Sequence, residues 1–309
     1  MRHAPYFLTS PFVVVFAIAG CLDGDAGSAS SAGTTSGDAK APEAWPDPIR
    51  FGLVPAEGGA DTVARFEPLA EHLQSELGHQ VDVFSASEYV GVITAMQNDQ
   101  VDIAYFGPKS YVEANRIAGA EALVREITED GSEGYYSVLI AREGSGIDTL
   151  EEAKGRSFAF VTPNSTSGYL VPFLGIQEAT EMVAEEYFGE VRYTGSHGTS
   201  IRAVLAGDIE VAATNTLDLK AMHQSGLDIS PLIELWRSEL IPGSVIAVRR
   251  ELPQSFKDAV QEAVVGFSEN AEALEEMGRS GFVPTNDEAY EIIRLFEQQE
   301  HELSEQSGG

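Results

Sequence analysis

Apolar residues fall along the chain in two alternating rhythms. In Arg50-Phe51-Gly52-Leu53-Val54-Pro55 and Val101-Asp102-Ile103-Ala104-Tyr105-Phe106 they crowd into short runs of the kind found in strands buried on both faces. Between these runs, Asp61 to Leu77 sets Val63, Phe66, Leu69, Ala70, Leu73 and Leu77 on one helical face and stops at Gly78. Gln80–Phe84 predicts a second strand and Tyr89–Met96 a second helix, and Gly107-Pro108 opens a third helix reaching Ile117. Strand, helix, strand, helix, strand predicts a mostly parallel sheet with helices on both faces.

The alternation restarts after Tyr135–Arg142. Strands are predicted at 157–161, 190–194 and 209–214, with helices at 167–178, 180–188, 198–206 and 217–225. A strand at 232–236, an Ile241-Pro242-Gly243 turn, a strand at 244–249 and helices at 254–270 and 287–305 close the chain. These closing elements are too few for a third domain. They predict a two-lobed α/β fold in which residues 47–141 and 245–309 form the first lobe and 142–244 the second. In such folds ligands sit at the carboxyl ends of strands, in the crevice. Glu57, Tyr135, Ser165-Thr166-Ser167 and His197 fall at such ends or at the adjoining turns.

The run Asn164-Ser165-Thr166-Ser167-Gly168 separates the apolar Phe158–Val161 from the helical Tyr169–Leu174. As a strand-to-helix turn it gathers three hydroxyls and several unpaired amides at the positive end of a helix dipole, where an oxyanion can be held. The same residues also make an ordinary N-cap with no ligand. Tyr89 similarly fits a core position beside Val92, Ile93 and Met96. Tyr135 fits a cross-strand aromatic, and Ser196 or His197 fits a cap of the next helix. Glu57 fits a solvated loop, and Tyr105 the interior of its strand.

With 309 residues, 43% of them hydrophobic, the chain can bury one large or two medium cores. Nineteen basic against forty-nine acidic residues give a formal charge of −30, which argues against nucleic acid or anionic membrane surfaces as partners. Salt screens that charge beyond about 8–10 Å, so a pocket of aimed donors can still take an anion. One cysteine, Cys21, leaves no disulfide framework or cysteine-based metal site. Cationic Met1-Arg2-His3, the apolar Pro11–Ala19 and the small residues before Cys21 resemble a bacterial lipoprotein signal over residues 1–20, with Cys21 acylated after cleavage. From Leu22 to Ala44 the chain is mostly Gly, Ser, Ala, Thr and Asp, a flexible tether with a reach of roughly 25–30 Å. The tethered segment as a whole covers residues 21–46.

Several stretches together resemble the substrate-binding proteins of phosphonate, phosphite and phosphate ABC importers, of the type II periplasmic-binding fold. They are Phe51-Gly52-Leu53, Glu88–Ile93, Val101–Gly107, Asp130–Ile140, Pro163–Pro172 and Leu240-Ile241-Pro242-Gly243, and they span residues 50–250. The resemblance implies that Ser165, Thr166 and Ser167 bind the oxygens of a phosphorus group. It implies phenol donors from Tyr89 and Tyr135 on the other lobe, and His197 beside the ligand. It also implies an extracytoplasmic, monomeric binding body with a permease and its ATPase as partners, and the acylated Cys21 would add a membrane contact. No cofactor or metal is called for.

Family members that bind aminoalkylphosphonates carry carboxylates near the ligand amine, one just after the strand matching Val211–Thr214. Here Asn215 stands at that point and Ser244 follows the Ile-Pro-Gly turn, so neither can pair with an ammonium group. A compact oxyanion, phosphite, phosphate or methylphosphonate, is therefore expected. An enzyme is the competing class. No Gly-x-Ser-x-Gly elbow supports a serine hydrolase, and histidines 3, 72, 79, 197, 223 and 301 show no metal-binding spacing. An oxyanion-sensing lipoprotein that engages a membrane kinase is the nearer alternative. Leu22 replaces the aspartate that in some lipoproteins signals inner-membrane retention, leaving the choice of membrane open.

Overall fold

The computed structural model describes residues 44–56, 58–128 and 131–307; the signal segment, Cys21, the tether up to residue 43 and Glu57 lie outside them. Glu43–Gly309 form one compact unit. In chain order its elements begin with β1 (Ile49–Leu53), α1 (Gly59–Leu77), β2 (Val81–Ser85), α2 (Tyr89–Gln97), β3 (Ile103–Phe106), α3 (Pro108–Ala118) and β4 (Ala120–Glu126). The short β5 (Gly134–Tyr135) leads to β6 (Ser137–Arg142), β7 (Ser157–Phe160), α4 (Val171–Thr180), α5 (Ala184–Tyr187) and β8 (Glu190–Tyr193). Then come α6 (His197–Ala206), β9 (Val211–Asn215), α7 (Thr216–Gln224), β10 (Leu232–Arg237) and the short β11 (Ile241–Pro242). The chain closes with β12 (Val245–Arg249), α8 (Gln254–Phe267), α9 (Ala271–Glu276), β13 (Phe282–Pro284) and α10 (Glu291–Ser307).

Two sheets organise two lobes. The first has the order β13-β4-β12-β3-β1-β2 and the second β10-β6-β9-β7-β8. Parallel pairing joins β2, β1 and β3 in one and β8, β7 and β9 in the other, matching the strand-helix alternation of the sequence. The remaining pairs are antiparallel, so each sheet is mixed where a mostly parallel one was expected. In the first sheet the cause is the return of the chain, since β12 comes back from the second lobe and enters between β3 and β4 against their direction; in the second, β6 runs against both β9 and β10. One large core fills the first lobe, with Phe51, Phe66, Tyr111 and Phe256 fully buried. Smaller cores lie on the two faces of the second sheet.

The lobe boundary differs from the expected 141/142 break. Ser137–Arg142 pairs with β9 and β10 and so belongs wholly to the second sheet. The chain crosses earlier, through β5, and returns through β11; these two-residue strands pair with each other, Tyr135 opposite Ile241. Both crossings are close-packed. A Cβ on Gly134 would fall 2.2 Å from the Ile241 carbonyl oxygen, and one on Gly243 2.3 Å from that of Glu126. The helix expected at 180–188 is shorter, because Glu181 turns left-handed (φ 57°) and ends α4, leaving only Ala184–Tyr187 helical.

Candidate functional site

The expected strand-to-helix turn follows β7. Ser165 adopts an extended conformation and its Oγ accepts from the Gly168 amide at 3.0 Å, so it caps the wide turn Thr166–Leu170 that runs into α4. Capping and a ligand role therefore fall on one residue. The amides of Thr166 and Ser167 open this turn and have no preceding helical carbonyl to bond. Ser137 Oγ donates to the Ser167 carbonyl at 2.7 Å, which pins the turn to β6. All three hydroxyl residues are 2% exposed.

His197 stands in the first turn of α6, which is capped by Ser196. Its ring joins two strand ends, with Nδ1 3.2 Å from Thr214 Oγ1 and Nε2 3.3 Å from Ser165 Oγ. Burial pushes its pKa down, against the opposing charge of Asp218, which favours a neutral imidazole. Tyr89, at the start of α2, contributes from the first lobe. Tyr135, expected on the same lobe as Tyr89, contributes from the crossing strand β5 between the lobes. Burial raises both phenols, Tyr89 well above its ordinary value, so both stay O–H donors.

These six residues share the wall of one cavity of about 30 Å³, room for two or three water molecules. Five further polar groups line it that the sequence reading did not select: Tyr105, Asn215, Asp218, Ser244 and Arg279. Tyr105 donates to Glu126 Oε1 at 2.9 Å, and Arg279 Nε contacts the same oxygen at 2.5 Å, a buried ion pair behind the cavity. Tyr105 and Arg279 are 174 positions apart, so no local motif could announce them. Asn215 had a readable signal: it ends a strand and caps the next helix, with Oδ1 accepting from the Asp218 amide at 2.8 Å. Among the described residues, no cluster of His, Cys, Asp and Glu could hold a metal ion.

The two lobes meet around this cavity. The His197 amide donates to the Ala56 carbonyl at 2.7 Å, and the Lys109 amide to Thr166 Oγ1 at 2.8 Å. Arg65 reaches the Ala221 carbonyl and Ser225 Oγ, both at 3.2 Å, and Arg202 pairs with Asp61 at 3.0 Å. A body of two lobes joined by paired crossing strands and shut over a donor-lined cavity has the architecture of a solute-binding protein.

Comparison with known proteins specifies which kind. The family described as the periplasmic substrate-binding protein of phosphonate ABC transporters matches residues 51–290. The phosphonates-binding periplasmic protein of Escherichia coli is 31% identical over 241 residues, covering 76% of this chain and 71% of that protein. The phosphate-import protein PhnD of Mycolicibacterium smegmatis is 31% identical over 280 residues, covering 82% and 85%. The crystal structure of a binding-protein component of a Pseudomonas aeruginosa ABC phosphonate transporter superposes with a TM-score of 0.76 at 30% identity, covering 81% and 85%. The chain belongs to this family of phosphonate and phosphate importer binding proteins. It is a binding protein and not an enzyme, and it works outside the cytoplasm.

Proposed function

We propose that the chain is a lipid-anchored binding protein that captures a compact phosphorus oxyanion (phosphite, phosphate or a small alkylphosphonate) by closure of its lobes. It then presents the closed form to a permease and its ATPase. The observation that carries this reading is the shared wall: hydroxyls of Ser165, Thr166 and Ser167 from the second lobe face Tyr89 from the first around one small cavity. Neutral O–H and N–H donors spread the charge of an oxyanion without a dedicated counter-cation. Because the donors come from both lobes, only the closed form completes the set, and ligand binding favours closure by that difference. The small cavity suits a compact ligand better than one with a long aminoalkyl tail. The E. coli relative's name points to phosphonates and the Mycolicibacterium relative's to phosphate, which supports the ligand class without choosing within it. The sensing alternative is set aside because the matched family serves transport.

Acylation at Cys21 and a tether over 21–46 would hold a monomeric body, with lobes 47–141 plus 245–309 and 142–244 adjusted to the crossing described above, near its permease. Isothermal calorimetry of residues 44–309 against phosphite, phosphate, methylphosphonate and 2-aminoethylphosphonate tests the ligand. Micromolar or tighter binding of a compact oxyanion is expected, and tight binding of 2-aminoethylphosphonate alone overturns the proposal. Metabolic labelling with a radioactive fatty acid, lost in Cys21→Ala, tests the anchor.

A further inference from the structure

The first lobe brings a formed ion pair to the cavity. Arg279 is 5% exposed and lines the wall, and Glu126, 2% exposed, lies directly behind it. Glu126 ends β4 and Arg279 follows α9, and the pairing of β4 with β13 draws them together, Phe282 opposite Glu126. The Arg279 amide donates to the Leu274 carbonyl at 2.8 Å. Its neighbour Gly278 is left-handed (φ 68°) and packs so closely on the second lobe that a Cβ there would fall 2.7 Å from Gln224 Oε1. The guanidinium is therefore fixed where the lobes meet.

Hydrogen bonding alone does not account for a carboxylate behind it. Arg279 Nε donates to Glu126 Oε1 at 2.5 Å, Nη2 to the Tyr105 hydroxyl at 3.4 Å, and Nη1 to the Met277 and Gly278 carbonyls, both at 3.5 Å. Tyr105 gives its own proton to Oε1 at 2.9 Å. One oxygen of Glu126 thus serves two donors, while Oε2 is buried with no hydrogen-bond partner among the described residues. A side-chain amide would satisfy the same two donors and bury no second acceptor, so what the carboxylate adds is its charge.

That charge reaches the cavity. The Tyr135 phenol is raised first by burial, against hydrogen bonds from Ser167 and Thr166, and further by the carboxylates of Asp218 and Glu126. Tyr105 is raised by burial, with Arg279 lowering and Glu126 raising it. An anion in the cavity would meet the same two opposed fields, attraction to Arg279 and repulsion from Glu126. An unopposed guanidinium in so dry a wall would hold an oxyanion by a charge-assisted bond and slow its departure.

On the reading of this cavity as an oxyanion site, we propose that the Arg279–Glu126 pair sets how strongly the site holds an anion. Arg279 is the cation of the wall, and Glu126 offsets its charge, so that hydroxyls and amides do the holding and the ligand can be released to the permease. The pair also keeps the site from choosing ligands by net charge in place of shape.

Calorimetry and stopped-flow release of the full chain with phosphite, phosphate and methylphosphonate at about pH 8 test the proposal. Glu126→Gln keeps an oxygen for both donors and removes the charge. It should bind the oxyanion that wild type prefers about tenfold or more tightly, the gain appearing as slower release. A purely structural role for Glu126 would weaken binding or leave it as it is. Adding Arg279→Met to Glu126→Gln should abolish the gain, because no cation is left to unmask. Thermal melts check that both variants fold, and a further readout uses wild type. The Arg279 Nε–H resonance, identified by its loss in Arg279→Lys, should shift as the oxyanion is added. Equal or weaker binding by folded Glu126→Gln, a gain that survives Arg279→Met, or a stationary Arg279 resonance overturns the proposal while leaving the oxyanion site intact. Absence of binding of every phosphorus oxyanion to wild type removes the site reading itself.

Discussion

Ser165 carries two duties through one oxygen, which makes its removal informative. Ser165→Ala deletes the cap on Gly168, costing about 1 kcal/mol of stability. It also deletes a proposed ligand donor, costing about 1–3 kcal/mol of binding. Melting of the ligand-free protein and calorimetry separate the two losses. His197 gives a pH-dependent test. Burial depresses its folded pKa, so the unfolded chain binds the proton more readily, and the associated stability is complete above about pH 6.5 and lost as pH falls toward the lower folded value. His197→Gln should therefore lose less melting temperature than wild type between pH 7.5 and 5.5. The residues that announced themselves in the sequence, Ser165 to Ser167 and His197, sit in turns whose chemistry is local. Asp218 and Arg279 were not legible, and Tyr105 read only as strand interior, because their meaning comes from partners in space. Asp218 was hidden one helical turn beyond Asn215, the position where a carboxylate was sought and found missing.

Helices and buried strands followed their apolar rhythm closely, as with α1, which ends at Leu77 before a left-handed Gly78. The elements that escaped are short: β5 and β11 have two residues each, and β13 has three, too few for any period to register. Yet β5 and β11 govern the joint between lobes. Gly134→Ala would drive a methyl group into the Ile241 carbonyl, and a loss of about 1–3 kcal/mol in denaturant unfolding is expected. The C-terminal helix α10 ties the lobes from another side. Phe296 packs on the first lobe's core and Leu303 on the second's, while Tyr169 OH donates to Glu300 Oε1 at 3.0 Å. Lys109 Nζ lies 4.9 Å from the centre of the Tyr169 ring, and burial lowers its pKa against the pull of Glu300 and Glu297. Tyr169→Phe, which keeps the ring and removes only the hydroxyl, should cost about 1 kcal/mol by the same measurement.

At the scale of the molecule, the doubled strand-helix alternation made the two lobes legible, but not the point of crossing, since Tyr135–Arg142 reads as one continuous apolar strand. The formal charge of −30 has a kinetic consequence for an anionic ligand. Repulsion reaches about 30 Å at 0.01 M salt and about 8 Å at 0.15 M, so the association rate should rise with ionic strength, as stopped-flow fluorescence can measure. Dissociation should depend on the contacts that hold the lobes shut. Arg202 and Asp61 are about half exposed, so Arg202→Ala should speed ligand release by no more than about fivefold, an effect that fades in salt. The placement of β12 between β3 and β4 bears on how the protein is made. While the nascent chain ends short of residue 245, the sheet of the first lobe has an empty slot between two of its strands and cannot close. The N-terminal half must therefore wait, unfinished, for a segment nearly two hundred residues downstream. A polypeptide that crosses a membrane as an extended thread gains time from that delay, because its leading half cannot set before the trailing half arrives.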